Sequence, residues 1–165
     1  LKVNQAKSAV DRPWKRKFLG FTFTVRRKLS LARPSVDKFR KRVREITKRN
    51  RGSSLERVIG ELRSYLLGWR AYFGICQTRS TLRDLDSWIH RRLRSYVWKQ
   101  WKTGKRRFQE LRQRGVGQDL AAQTAGSRKG LWHISRSPAL NIAMPGRALA
   151  KLGVPLLLEQ PATQV

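Results

Sequence analysis

The sequence predicts a mainly α-helical protein: a three-helix bundle, preceded by an N-terminal β-hairpin and followed by a small irregular helical C-terminal domain. Three observations carry that prediction. Apolar residues recur at three and four positions through Leu55, Val58, Ile59, Leu62, Leu66, Trp69 and Phe73, and again through Leu82, Leu85, Ile89, Leu93, Tyr96 and Val97. Each series draws one stripe on a helix of 3.6 residues per turn. A shorter stripe of Val36, Phe39, Val43 and Ile46 precedes them over short links, the pattern of a small bundle. Finally, 165 residues with 39% hydrophobic content suffice to bury a shared core.

Taken in order, Leu1 to Asn4 alternates like a strand and opens without a helix cap, so the chain reads as a piece of something longer. Lys17 to Thr24 is aromatic and β-branched, which predicts a strand with Phe21 and Phe23 on one face; Leu29 to Leu31 returns as its partner. A lone hairpin is marginal in water, so a larger sheet is expected around it. Ser35 is placed to cap a helix over 35–50, ended by Gly52. Ser53 and Glu56 have capping-box spacing at the head of a helix over 53–75, and Thr81 with Asp84 repeats it for one over 81–102. Beyond these, Lys105 to Arg114 and Asp119 to Thr124 read as short helices, and Ser137-Pro138 and Pro145-Gly146 open two more turns. The domain divisions expected are 1–33, 34–102 and 103–165.

Charge narrows the function. Lys and Arg total 38 against 10 Asp and Glu, a net charge of +28, far more than solubility needs. A polyanionic partner follows. Residues 115–165 hold five basic and two acidic residues, so +25 of that charge lies on residues 1–114. No run approaches the roughly 18 uninterrupted apolar residues of a membrane span, and no secretory leader opens the chain, so a soluble, cytoplasmic protein is expected. The single Cys76 has no partner for a disulfide or a zinc site.

Three basic clusters are candidates for phosphate contact. Arg91, Arg94, Trp98 and Lys102 fall on the face of the third helix opposite its apolar stripe, where arginines neutralise phosphates and an indole stacks on a base. Trp98 also admits a second reading, in which the tail covers it. Lys41, Arg44 and Lys48 form a row on the first helix, and Lys99, Lys102, Lys105, Arg106 and Arg107 gather where bundle meets tail. Few acids stand near to pair with them. On the second helix Gly60, Ser64, Gly68 and Ala71 line up away from the apolar stripe, which calls for a close neighbour, either protein or a nucleic-acid backbone. Catalytic groupings are poor: Asp84 and Asp86 diverge by about 200° on a helix, and His90 and His133 lack partners at metal spacing. Asp84 reads as a first-turn charge favouring the helix dipole. No metal or cofactor site is expected in the chain itself.

An ordered series of motifs resembles the C-terminal part of group II intron-encoded reverse transcriptases, or maturases, of the bacterial group IIC type. It runs from Lys2-Val3-Asn4-Gln5-Ala6-Lys7-Ser8 and Lys17-Phe18-Leu19-Gly20-Phe21, through Leu66-Leu67-Gly68-Trp69-Arg70-Ala71-Tyr72-Phe73-Gly74 and Trp88-Ile89-His90-Arg91-Arg92-Leu93-Arg94. It continues through Trp98-Lys99-Gln100-Trp101-Lys102 into Gly115-Val116-Gly117, Gly130-Leu131-Trp132 and Ser137-Pro138-Ala139-Leu140. The resemblance implies that residues 1–33 end a polymerase palm, with Lys7 touching nucleic acid, that 34–102 are the thumb or X domain, and that 103–165 are a DNA-binding domain. It implies group II intron RNA, template–primer duplex and target DNA as partners, and Mg2+ for the full-length enzyme. The family's Tyr-Ala-Asp-Asp metal motif is absent here, so polymerisation by this chain alone is not expected. A general basic nucleic-acid-binding module without intron preference is the alternative.

Overall fold

The computed structural model describes residues 11–158. Lys7 and the strand expected at Leu1 to Asn4 lie outside them. A 3-10 turn at Pro13–Lys15 leads into an antiparallel hairpin of β1 (Phe21–Phe23) and β2 (Leu29–Leu31), with Phe21 opposite Leu31. Three long helices follow, α1 (Arg33–Ile46), α2 (Leu55–Phe73) and α3 (Arg79–Gln100). The tail is α4 (Gly104–Gln113), α5 (Gln118–Ala125), α6 (Leu131–Ile134), α7 (Pro138–Ala143) and α8 (Gly146–Lys151). The mainly helical class with a small N-terminal hairpin is what the periodicities called for. Among the described residues no helix is long and apolar enough to cross a membrane.

The three stripes meet in one core. Phe39, Val43 and Ile46 of α1, Val58, Leu62, Leu66 and Trp69 of α2, and Leu82, Leu85, Ile89 and Leu93 of α3 are all buried. Aromatic rings lock α1 to α2: Phe39 lies 4.5 Å from Trp69 and 5.8 Å from Tyr65, centroid to centroid. The tail extends this same core through Leu111, Val116, Leu140 and Leu149.

Three helix starts differ from expectation. Pro34 is tolerated in the first turn, where its missing N–H costs nothing, so α1 begins at Arg33 with Ala32 as cap. Ser35 instead donates its hydroxyl to Gly20 O (2.9 Å), tying the helix to the hairpin. In α2 the cap is Ser54, one residue later than expected, and its Oγ accepts from Arg57 N. No side chain caps α3, which starts at Arg79, two residues before Thr81, leaving Asp84 beyond the first turn.

No third strand accompanies the hairpin among the described residues. It is held by the α2–α3 loop: Leu29 N donates to Gln77 Oε1 (2.8 Å), Gln77 N to Leu29 O (2.9 Å), and Ser30 and Thr78 share a hydroxyl bond of 3.0 Å. Phe21 packs on Phe73 at 5.2 Å, while Phe23 stays exposed. Gly20 has φ of +84°, and a Cβ there would stand 2.9 Å from Ser35 Oγ. Only glycine satisfies both the left-handed turn and that approach.

Candidate nucleic-acid interface

The outer face expected on α3 is largely covered. Its helical period carries Arg91, Arg94 and Trp98 around to the tail. Arg91 Nη2 donates to Trp132 O (2.8 Å) and Nε to Ser135 Oγ (3.3 Å), and its guanidinium lies 3.8 Å from the Trp132 ring centre. Arg94 Nε donates to Met144 O (3.0 Å). Burial lowers the pKa of both arginines, and for Arg91 the charge of Arg136 adds to it. Trp98 is 1% exposed, set against Trp101 at 5.9 Å and beneath Arg107 at 4.8 Å, so it offers no base a stacking surface. Of that row only Lys102 is exposed. Helical geometry put these residues opposite one stripe, but the tail supplies a second apolar neighbour.

The cluster between bundle and tail divides similarly. Lys99, Lys102, Lys105 and Arg106 are exposed, yet Arg106 pairs with Glu110 at 2.6 Å. Arg107 is half-buried and donates Nε to Trp101 O (2.9 Å). Arg114 pairs with the other oxygen of the buried Glu110 while its guanidinium covers Trp101. Much of this charge is therefore structural.

The α1 row has a different setting. Lys41, Arg44 and Lys48 are exposed, and the structure adds residues that single-helix reasoning missed. Trp88 of α3 lies half-buried with the guanidinium carbons of Arg40, Arg44 and Arg92 at 6.0, 5.6 and 5.6 Å from its ring centre. Arg92 is anchored: Nε donates to Thr47 Oγ1 (2.7 Å), and Nη2 to Thr47 O (3.3 Å) and Arg44 O (3.4 Å). Beside it Arg49 Nη1 donates to Ser95 Oγ (2.9 Å). Burial, with the positive charges of Arg49 and Arg44, pushes the Arg92 pKa down to about 10.

Among the described residues no ion pair engages Arg40, Arg44, Arg49 or Arg92. Arg40 Nε is buried with no hydrogen-bond partner. An orphaned donor of this kind costs about 1–3 kcal/mol, and native proteins rarely leave one without a reason. Three arginines converge on one indole with Arg49 beside them, a concentration of positive charge that suits an anion. Cation–π contact keeps their planes ordered while leaving edge donors free for phosphate oxygens. The signal was present in the sequence as Arg40 and Arg44 on one turn, but Arg49 and Arg92 join them only across α1 and α3.

Among the described residues the small-residue face of α2 lacks the neighbour expected for it: Gly60, Ser64, Gly68 and Ala71 are exposed, and nothing there lies within 4 Å of a Cβ at Gly60 or Gly68. Asp86, passed over in the sequence, is buried and accepts from Leu157 N (2.9 Å) and Leu158 N (3.3 Å), fixing the end of the tail to α3. Cys76 is buried beside Thr78. Among the described residues no three His, Cys, Asp or Glu side chains gather as a metal site would require.

The fold and its charge define a polycationic helical bundle with a docked helical tail. Residues 36–115, a span from α1 through α4, match the group II intron, maturase-specific domain family, and this part of the chain is a group II intron maturase domain. No curated protein matches the chain significantly.

Proposed function

We propose that this chain binds structured group II intron RNA and holds it in its splicing-competent fold, with the α1–α3 arginine cluster as a principal phosphate contact. The maturase-specific family supports intron RNA as the partner. The observation that carries the location is the convergence of Arg40, Arg44 and Arg92 on Trp88 with no ion pair to them among the described residues. Bound phosphate would offset the positive charges of Arg49 and Arg44 which, after burial, lower the Arg92 pKa. Neutralising phosphates lets RNA helices approach one another, and releases counterions, which makes binding steeply salt-dependent. Lys41 and Lys48 would extend the contact along and just past α1, and the exposed Lys99, Lys102 and Lys105 would provide a second point of attachment.

In a longer parent the same bundle would position template–primer duplex for RNA-directed DNA synthesis, and residues 103–165 would meet target DNA. The Mg2+ of that chemistry belongs to the Tyr-Ala-Asp-Asp motif, which this chain lacks. The test is affinity for a folded group II intron RNA domain from about 50 to 300 mM salt, with excess unrelated RNA as competitor. A preference that survives at the higher salt is expected. Loss along one steep line, matched by the competitor, would make the chain a general polycation.

A further inference from the structure

A second basic site lies on the other side of α3 and, except for Arg91, outside residues 36–115. The chain between α3 and α5–α7 encloses an open cavity of about 670 Å³. Arg91, Lys129, His133 and Arg136 line it together with the neutral polar groups of Gln123 and Ser127, and no carboxylate is among its walls. Among the described residues Lys129 and Arg136 form no ion pair. Burial, and after it the charge of Arg136, lowers the Arg91 pKa.

The cavity differs from the α1–α3 cluster in shape and chemistry. The cluster is a set of guanidiniums around an indole; this is a recess whose volume falls within the range of pockets that enclose a molecule of drug-like size. It mixes cations with amide and hydroxyl groups, which donate to and accept from the edge of a base. At its rim Trp132 is 37% exposed, with Arg91 stacked on one side. Cations for a phosphate, neutral polar groups for a base edge and an ordered aromatic nearby are the parts with which proteins hold an unpaired nucleotide.

We propose that this cavity binds an unpaired nucleotide of a nucleic-acid strand. Lys129 and Arg136 take the phosphate, and Gln123 and Ser127 face the base. Arg91 is a positioning residue that sets α6 and Trp132. The inference does not rest on the intron reading, because RNA or DNA single strands present the same chemistry.

The experiment measures fluorescence anisotropy of the full chain with labelled oligo(U) and oligo(dT) of about ten nucleotides, a site size common for single-strand binders, and with an RNA duplex of equal length. Lys129 and Arg136 are exposed, so Lys129→Ala with Arg136→Ala is expected to leave the melting temperature unchanged. It should weaken single-strand binding about tenfold while duplex affinity moves by no more than about twofold. Comparison of oligo(U) with oligo(dT) tells which strand the cavity favours. Unchanged single-strand affinity, equal loss for strand and duplex, or equally effective competition by polyglutamate would each overturn the proposal. Arg40→Ala with Arg44→Ala, measured beside it, should show the opposite preference; its failure would count against the α1–α3 site and leave the cavity standing.

Discussion

Neighbouring arginines on α3 meet opposite fates. Arg91 and Arg94 point into the tail, where the carbonyls of Trp132 and Met144 accept their hydrogen bonds and Trp132 covers a guanidinium. Arg92 turns toward α1 and joins Arg40, Arg44 and Arg49, with backbone and hydroxyl partners for itself but no carboxylate for the group. The first set holds the molecule together; the second leaves charge concentrated at a surface. Counting basic residues could not tell them apart. The accounting of each donor separates Arg40 and Arg44, whose guanidiniums find no hydrogen-bond partner among the described residues, from Arg91, Arg92 and Arg94, whose N–H groups are engaged internally and have less left for a phosphate.

The comparison is broken most directly at the covered face. Arg91→Ala with Arg94→Ala is expected to destabilise the chain by about 2–4 kcal/mol, because it strands the Met144 carbonyl, takes one of two donors from the Trp132 carbonyl and loosens the tail. Denaturant unfolding checks it; intact stability together with lost RNA binding would return that face to the ligand. At the open face, Arg40→Ala with Arg44→Ala should leave stability unchanged or raised, since an orphaned donor is removed. RNA affinity should fall about tenfold or more at low salt, and the slope of log affinity against log salt should shrink by about two, as expected for two lost phosphate contacts.

Smaller effects sharpen the same contrast. Gly60→Ala or Gly68→Ala, on the uncovered side of α2, should each stabilise by about 1 kcal/mol, the helix propensity difference, because nothing among the described residues lies within 4 Å of either Cβ. A stability loss in the thermal melt would reveal a neighbour on that face. On the covered face, His90 is held neutral by burial, with the charge of Arg94 a lesser cause, so its folded pKa lies below the ordinary 6.5. The stability this contributes is present above pH 6.5 and is lost as pH falls toward the folded value. Melting temperature should therefore drop on acidification below 6.5, and His90→Asn should flatten that part of the profile.

Much of the fold was legible because it depends on local periodicity. The stripes on α1, α2 and α3 needed only the helical repeat, and each became part of the core. Helix ends were read less well: Pro34 and Arg33 extend α1 past Ser35, and α3 starts without a cap, so packing rather than a side-chain signal decided where it begins. The hairpin's support from Gln77 and Thr78 lies almost fifty residues away in sequence. Asp86 illustrates the same limit, since its partners are the amides of Leu157 and Leu158.

By itself, then, the sequence determined the helical class, the three apolar faces and the demand for a polyanion, because composition and period-3.6 patterning are properties of single segments. Its motif series also pointed to the maturase family, which the match over residues 36–115 shows. Which cations are free to meet that polyanion was decided by tertiary structure alone. A helix has one face opposite its core stripe only until something else packs on it; here the tail does, burying Trp98 and occupying Arg91 and Arg94. Arg40, Arg44, Arg49 and Arg92 become a single site only where α1 and α3 cross, because charge density depends on distance in space and not along the chain.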